Sequence, residues 1–139
     1  MAVITKQIKI SSKSENDIID ITEQVANAIS ESGISNGTIT VFVSGSTGAI
    51  TTIEYEPGLV NDFPEMLSRT APDDINYEHE QRWHDGNSRS HVKASLVGPS
   101  LTVPFKDGQL LLGTWQQIVF LELDTRARTR NLVLQIIGE

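Results

Sequence analysis

Alternation of apolar and less apolar residues recurs along this chain and constrains its fold more than any other feature. A period of two puts successive side chains on opposite faces of a strand, so each alternating stretch calls for a sheet with one face buried. Ile39, Val41 and Val43 alternate with Thr40 and Phe42 between Thr38 and Ser44, and Val92, Ala94 and Leu96 alternate with His91, Lys93 and Ser95 between His91 and Val97. Ile4, Ile8 and Ile10 share one side of an N-terminal strand on which Lys6 is the exception. Ala49 to Tyr55 reads as a strand that follows after only Gly45-Ser46-Thr47-Gly48, a hairpin or a corner. Further strands are expected at Leu101–Phe105, Gln109–Leu112, Trp115–Leu123 and Leu132–Ile137, with a hairpin turn at Lys106-Asp107-Gly108 and Trp115 in the core.

Helical spacing occurs twice. Thr22 suits an N-cap before Val25, Ala28 and Ile29, with Gly33 as the stop. Beyond Pro57-Gly58, the residues Leu59, Val60, Phe63, Met66 and Leu67 take helical spacing, and Pro64 is expected in the first turn. Eight or so strands and two main helices without βαβ alternation predict an α+β fold, β-rich, with an antiparallel sheet or sandwich. A chain of 139 residues fits one domain, 1–139, with no internal linker or repeat.

Composition narrows the function. There is no cysteine, which removes disulfides, thiolate nucleophiles and zinc ribbons. Eighteen acidic residues against eleven basic give a net charge of −7, so a phosphate backbone is repelled and no nucleic-acid partner is expected. No apolar run approaches the roughly 20 residues that span a bilayer. The N-terminus lacks the order of a signal peptide, and a cytoplasmic protein without a membrane partner is expected.

The segment Ala71–Ser90 is polar and aperiodic, and loops of that length are functional or disordered. The three histidines, His79, His84 and His91, lie in it or at its exit. Imidazole is both the commonest metal ligand and the usual acid–base group near neutral pH. His79-Glu80-Gln81-Arg82-Trp83-His84 is one residue too long for a zinc-protease helix. A separation of five residues turns two histidines about 140° apart, against about 40° for four. A loop-built site using His79, His91 and a carboxylate stays open.

On the expected strand, His91, Lys93 and Ser95 form a polar face suited to a phosphate or carboxylate, or simply to solvent. Asp85-Gly86-Asn87 reads as a tight turn. Gly45-Ser46-Thr47-Gly48 offers backbone N–H groups to an anion but lacks the lysine of a Walker loop. Arg126, Arg128 and Arg130 alternate beside Asp124, at a solvated hairpin tip, a subunit contact or an anion site. No serine stands in a nucleophile elbow.

Several of these residues form a connected pattern. Tyr77-x-His79, then Asp85-Gly86-Asn87-x-x-Ser90-His91-Val92-Lys93-Ala94-Ser95-Leu96-x-Gly98-x-Ser100, resembles the YjbQ-like family. Val103-Pro104-Phe105-x-x-Gly108, Leu112-Gly113-Thr114-Trp115-Gln116-Gln117-Ile118, Glu122-x-Asp124 with the three arginines, and Gln135-x-x-Gly138 extend the resemblance over essentially the whole chain.

The resemblance implies a YjbQ-like fold assembled as a homotrimer with clefts near subunit boundaries. It also implies a weak or secondary thiamine-phosphate synthase activity, joining an aminopyrimidine diphosphate to a thiazole phosphate with release of pyrophosphate. On that reading His79, His91 and Lys93 are catalytic, and Lys93 and Arg89 meet phosphate oxygens. Glu54 and Asp85 hold a divalent ion, and Asn87, Ser95 and Gln116 complete the ligand contacts. Mg²⁺ would accompany a diphosphate, or a transition metal such as Zn²⁺ would sit on His79 and His91, with no organic cofactor. A metal-dependent hydrolase on the two histidines and a non-catalytic trimer that binds a phosphorylated metabolite are the alternatives. One departure stands out: Gly45-Ser46-Thr47 replaces the His-Thr-Thr or His-Thr-Ser of many members, so that histidine's role does not carry over, and His84 is the extra histidine that would compensate.

Overall fold

The computed structural model describes residues 1–139. Eight strands and four helices follow in the order β1 (Ala2–Ser11), β2 (Ile18–Asp20), α1 (Thr22–Ser32), β3 (Gly37–Val43), β4 (Gly48–Ile53), α2 (Pro57–Thr70), α3 (Glu78–Trp83), α4 (Ser88–Val97), β5 (Ser100–Lys106), β6 (Gln109–Leu110), β7 (Gln117–Glu122) and β8 (Thr129–Gly138). They build a five-stranded sheet, β1-β8-β3-β5-β6, and a three-stranded sheet, β2-β7-β4, with every pairing antiparallel. The expected α+β class and antiparallel β-rich architecture are what the chain adopts.

Side-chain parity sets the layers. The alternating Ile39, Val41 and Val43 of β3 meet Leu132, Leu134 and Ile136 of β8 and Val103 and Phe105 of β5 on the inner face of the large sheet. Val25, Ala28 and Ile29 of α1 close over this core together with Ile50, Ile118 and Phe120 from the small sheet. The opposite parity of that small sheet, Ala49, Val119 and Leu121, packs against Leu67 of α2 and Ala94 of α4. The unbroken run Ile118-Val119-Phe120-Leu121 follows from this position, since a strand covered on both faces needs apolar residues at every step.

Two of the turns expected from the sequence set the path of the sheets. Gly45-Ser46-Thr47 is the corner at which the chain leaves the large sheet at β3 and enters the small one at β4. Asp107 and Gly108 take positive φ values of 52° and 75°, the conformation that a two-residue hairpin between β5 and β6 requires.

Five expectations are corrected. Residues 91–97 are helical, not a strand: Ser90, Lys93 and Ala94 are buried and Val97 packs beside them, the i, i+3, i+4, i+7 stripe of a helix. Two polar members disguise that stripe, while the apolar Val92 and Leu96 that imitate a strand face are exposed. The polar segment contains a further short helix, α3, so there are four helices rather than two. In α2 the first-turn proline is Pro57 and Pro64 lies inside the helix; Glu56 caps it, accepting from the Gly58 and Leu59 N–H groups at 2.9 and 2.5 Å. Trp115 is 71% exposed and precedes β7, so it is not a core residue. Thr22 is the first residue of α1 rather than its cap; its N–H and hydroxyl both donate to Asp20 Oδ1, at 3.0 and 2.7 Å.

Candidate functional site

The end of α4 that carries His91 faces the corner between the two sheets. Ser44, Gly45, Ser46 and Thr47 from the corner, Asp85 and Asn87 before α4 with His91 in its first turn, Asp124 and Arg128 from the β7–β8 connection, and Thr129, Arg130 and Asn131 from the start of β8 enclose a cleft of about 420 Å³ with no apolar residue in its wall. Three separate sequence signals, the histidine segment, the glycine-bounded loop and the alternating arginines, thus converge on one place.

The floor of the cleft is a buried ionic network. Glu122 shares the parity of Ile118 and Phe120, and Arg130 shares that of Leu132, Leu134 and Ile136, so both point inward with the core. They pair there, with Arg130 Nε donating to Glu122 Oε1 at 3.0 Å and Nη2 donating to Oε2. Arg130 Nη2 also donates to Thr47 Oγ1 at 2.9 Å, and the Ser12 hydroxyl donates to Glu122 Oε1 at 2.6 Å. Thr47 passes the chain on by donating to Asp124 Oδ2 at 3.0 Å, and Arg128 Nη1 meets the same oxygen at 2.6 Å. Burial opposes the Asp124 charge, but the Thr125 N–H, the Thr47 hydroxyl and Arg128 outweigh it and hold this carboxyl below its ordinary value. Arg126 is exposed, and Arg126 and Arg128 precede the strand, so the three arginines do not share one face.

Gly45 has a physical reason to be glycine. Its φ is +146°, and a Cβ at this position would stand 3.1 Å from Arg130 Nη1. Any side chain here, the histidine of the resemblance included, would be strained by that φ and would press on the guanidinium of Arg130.

His79 on α3 reaches α4 and stacks on His91, with ring centroids 4.6 Å apart and planes tilted by 47°. Its Nδ1 lies 3.2 Å from Ser88 Oγ and 3.7 Å from Asp85 Oδ1. With its amide turned to satisfy both groups, Asn87 Nδ2 donates to Asp85 Oδ1 at 2.8 Å. Of the two stacked imidazoles only His91 lines the cleft, and His79 behind it lies beside Asp85. His84 ends α3 in the left-handed conformation, exposed, and is absent from the cleft wall near Gly45.

The other expected residues lie elsewhere. His91, Lys93 and Ser95 do not form one face, because helical geometry turns successive alternate residues about 200° apart. Ser95 is exposed, and Lys93 is buried against a different cleft. Arg89 is engaged with Glu15, its Nε and Nη2 donating at 2.9 and 2.7 Å; these bonds raise its pKa further, against the effect of burial. Glu54 is exposed just past the far end of β4, about 20 Å along the strand from Thr47, so one chain does not bring it to Asp85. Gln116 donates to Thr52 Oγ1 at 3.2 Å in a groove with Leu111 and Leu112. No three His, Asp or Glu side chains converge as a metal-holding set. Sequence reasoning missed Thr47 and Asn131, and it left the buried roles of Glu122, Asp124 and Arg130 unread, although the parity of Arg130 with Leu132 was a usable signal.

Comparison with known proteins agrees with this architecture. The family model described as UPF0047 protein YjbQ-like matches residues 6–139. A UPF0047 protein of Methanothermobacter thermautotrophicus is 40% identical over 139 residues, covering 100% of this chain and 95% of its own. The UPF0047 protein YugU of Bacillus subtilis is 34% identical, covering 96% of this chain and 98% of its own. The crystal structure of a YbjQ-like protein of unknown function from Sulfolobus solfataricus superposes with a TM-score of 0.90 at 31% identity, covering 99% of this chain and 100% of that one. No helix is long and apolar enough to cross a membrane. The chain belongs to the YjbQ-like UPF0047 family.

Proposed function

We propose that this chain is a small-molecule enzyme whose ligand carries phosphate, that its chemistry takes place in the cleft at the sheet corner, and that His91 is the acid–base group. The observation that carries the reading is the stacked His79–His91 pair beside Asp85, opening on a cleft with no apolar wall. A proton-transferring imidazole needs a fixed orientation and a polar ligand within reach, and His79 supplies a ring for His91 to pack on. Arg128, whose side chain is 38% exposed, offers a guanidinium to an anion from the opposite wall.

Thiamine-phosphate synthesis, implied by the resemblance, is the activity to test first. In that reaction the thiazole nitrogen forms a bond to the pyrimidine methylene carbon, and the carbon–oxygen bond to diphosphate breaks with its electron pair leaving on pyrophosphate. Cations at the leaving group lower that barrier, and Arg128 is the cleft side chain placed to serve. The trimeric assembly implied by the resemblance belongs to the same proposal and is read by light scattering.

The test measures pyrophosphate release from the aminopyrimidine diphosphate and thiazole phosphate, with wild type beside His91→Ala. Loss of an acid–base group lowers turnover by roughly 10²–10⁴-fold. A folded His91→Ala protein with wild-type turnover overturns the assignment. Wild type that is protected from unfolding by pyrophosphate yet makes no product would favour a binding protein instead.

A further inference from the structure

Lys93 leaves α4 on the side away from His91 and is among the largest fully buried side chains, at 1% exposure. Its ammonium makes one long hydrogen bond, to Ser68 Oγ at 3.4 Å, and it belongs to none of the chain's ion pairs. The other deeply buried cation, Arg130, has a carboxylate of its own. A buried lysine without one is costly unless it sheds its proton or meets a ligand.

The surroundings of Lys93 form a second cleft, about 480 Å³, walled by Glu15, Asn16, Ser68, Asp73, Asp74 and Arg89, with Pro72 as the one hydrocarbon ring in the wall. Glu15 is occupied by Arg89. Asn16, held at a positive φ of 69°, keeps its Oδ1 buried without any partner. The cleft thus holds an under-used amine and an unused acceptor. Burial lowers the pKa of the amine, opposed by Glu15 from the β1–β2 connection and by Asp73 from the α2–α3 connection, and assisted by Arg89 on α4. Asp74 is the remaining charge in the wall.

We infer that Lys93 Nζ is a nucleophilic amine that captures a small hydroxylated aldehyde or ketone as an imine in this cleft, separate from the His91 site. The nitrogen lone pair attacks the carbonyl carbon and gives a carbinolamine; its hydroxyl departs as water with a proton, and the C=N bond forms, with nothing oxidised or reduced. The carboxylates of the wall and Asn16 Oδ1 accept hydrogen bonds from the hydroxyl groups of such a ligand, which an apolar aldehyde would leave unmatched.

The test traps the imine on the full chain. Glycolaldehyde and sodium cyanoborohydride are added near neutral pH, and the reduced adducts are mapped by peptide mass spectrometry over Lys93 and the four other lysines, Lys6, Lys9, Lys13 and Lys106. The expected result is labelling of Lys93 several-fold ahead of the other four, reduced for propionaldehyde, and abolished in Lys93→Arg. Labelling of Lys93 in native wild type no faster than at the other lysines overturns the inference, and this comparison stands whether or not the variant folds. His91→Ala retains the adduct, so failure of the cleft at the sheet corner and failure of this one are read separately.

Discussion

Replacing Arg130 by methionine tests the architecture of the site most directly. The side chain gives two hydrogen bonds to Glu122 and one to Thr47, and Glu122 is entirely buried. Methionine keeps much of the aliphatic volume but leaves a buried carboxylate with only the Ser12 hydroxyl and the Asp124 N–H as donors, at 2.6 and 3.2 Å. An uncompensated buried charge of this kind costs about 3–5 kcal/mol. At roughly 3 °C per kcal/mol for a domain of this size, Tm falls by ~10–15 °C. Urea unfolding at neutral pH measures the loss, and the double variant Glu122→Gln/Arg130→Met supplies the decisive comparison. Glutamine removes the charge while keeping an acceptor for Ser12, so the double variant recovers at least about 2 kcal/mol relative to Arg130→Met alone. A loss below ~1 kcal/mol in the single variant, or a double variant as unstable as the two singles summed, would refute the claim that the buried pair organises the corner.

Two further perturbations probe the same network. Asp124 has a folded-state pKa below its ordinary value, so its contribution is present above the unfolded value of 3.8 and disappears as the pH falls through the folded one. Asp124→Asn should cost ~2 kcal/mol at neutral pH, and acid titration of both proteins should show the gap closing below about pH 4; a gap independent of pH would contradict the sign. Gly45→Ala should cost about 1–3 kcal/mol because of its positive φ and the approach to Arg130, whereas thermal melts of Ser46→Ala next to it should stay within ~0.5 kcal/mol of wild type.

Parity in the sequence was enough to determine the strands that pack the core. Ile39, Val41 and Val43 could face only one way, and so could Leu132, Leu134 and Ile136, because a one-residue slip would expose every one of them. The same parity put Arg130 and Glu122 inward, but a sequence does not say which buried cation meets which buried anion, and these two meet only because β7 and β8 lie in different sheets that face each other. The stretch 91–97 shows the limit of local pattern. Its apolar residues alternate like a strand, yet the chain buries Ser90, Lys93 and Ala94 as a helix, since what packs on α2 and the small sheet is chosen by the neighbours and not by hydropathy alone.

That choice separated His91 from Lys93, gave each its own cleft, and brought His91 to the glycine corner 46 residues earlier in the chain, at Gly45. Residue types and their periods determined the layers. The site lies where segments remote in sequence meet, and only the packing of two sheets and a helix could decide that meeting.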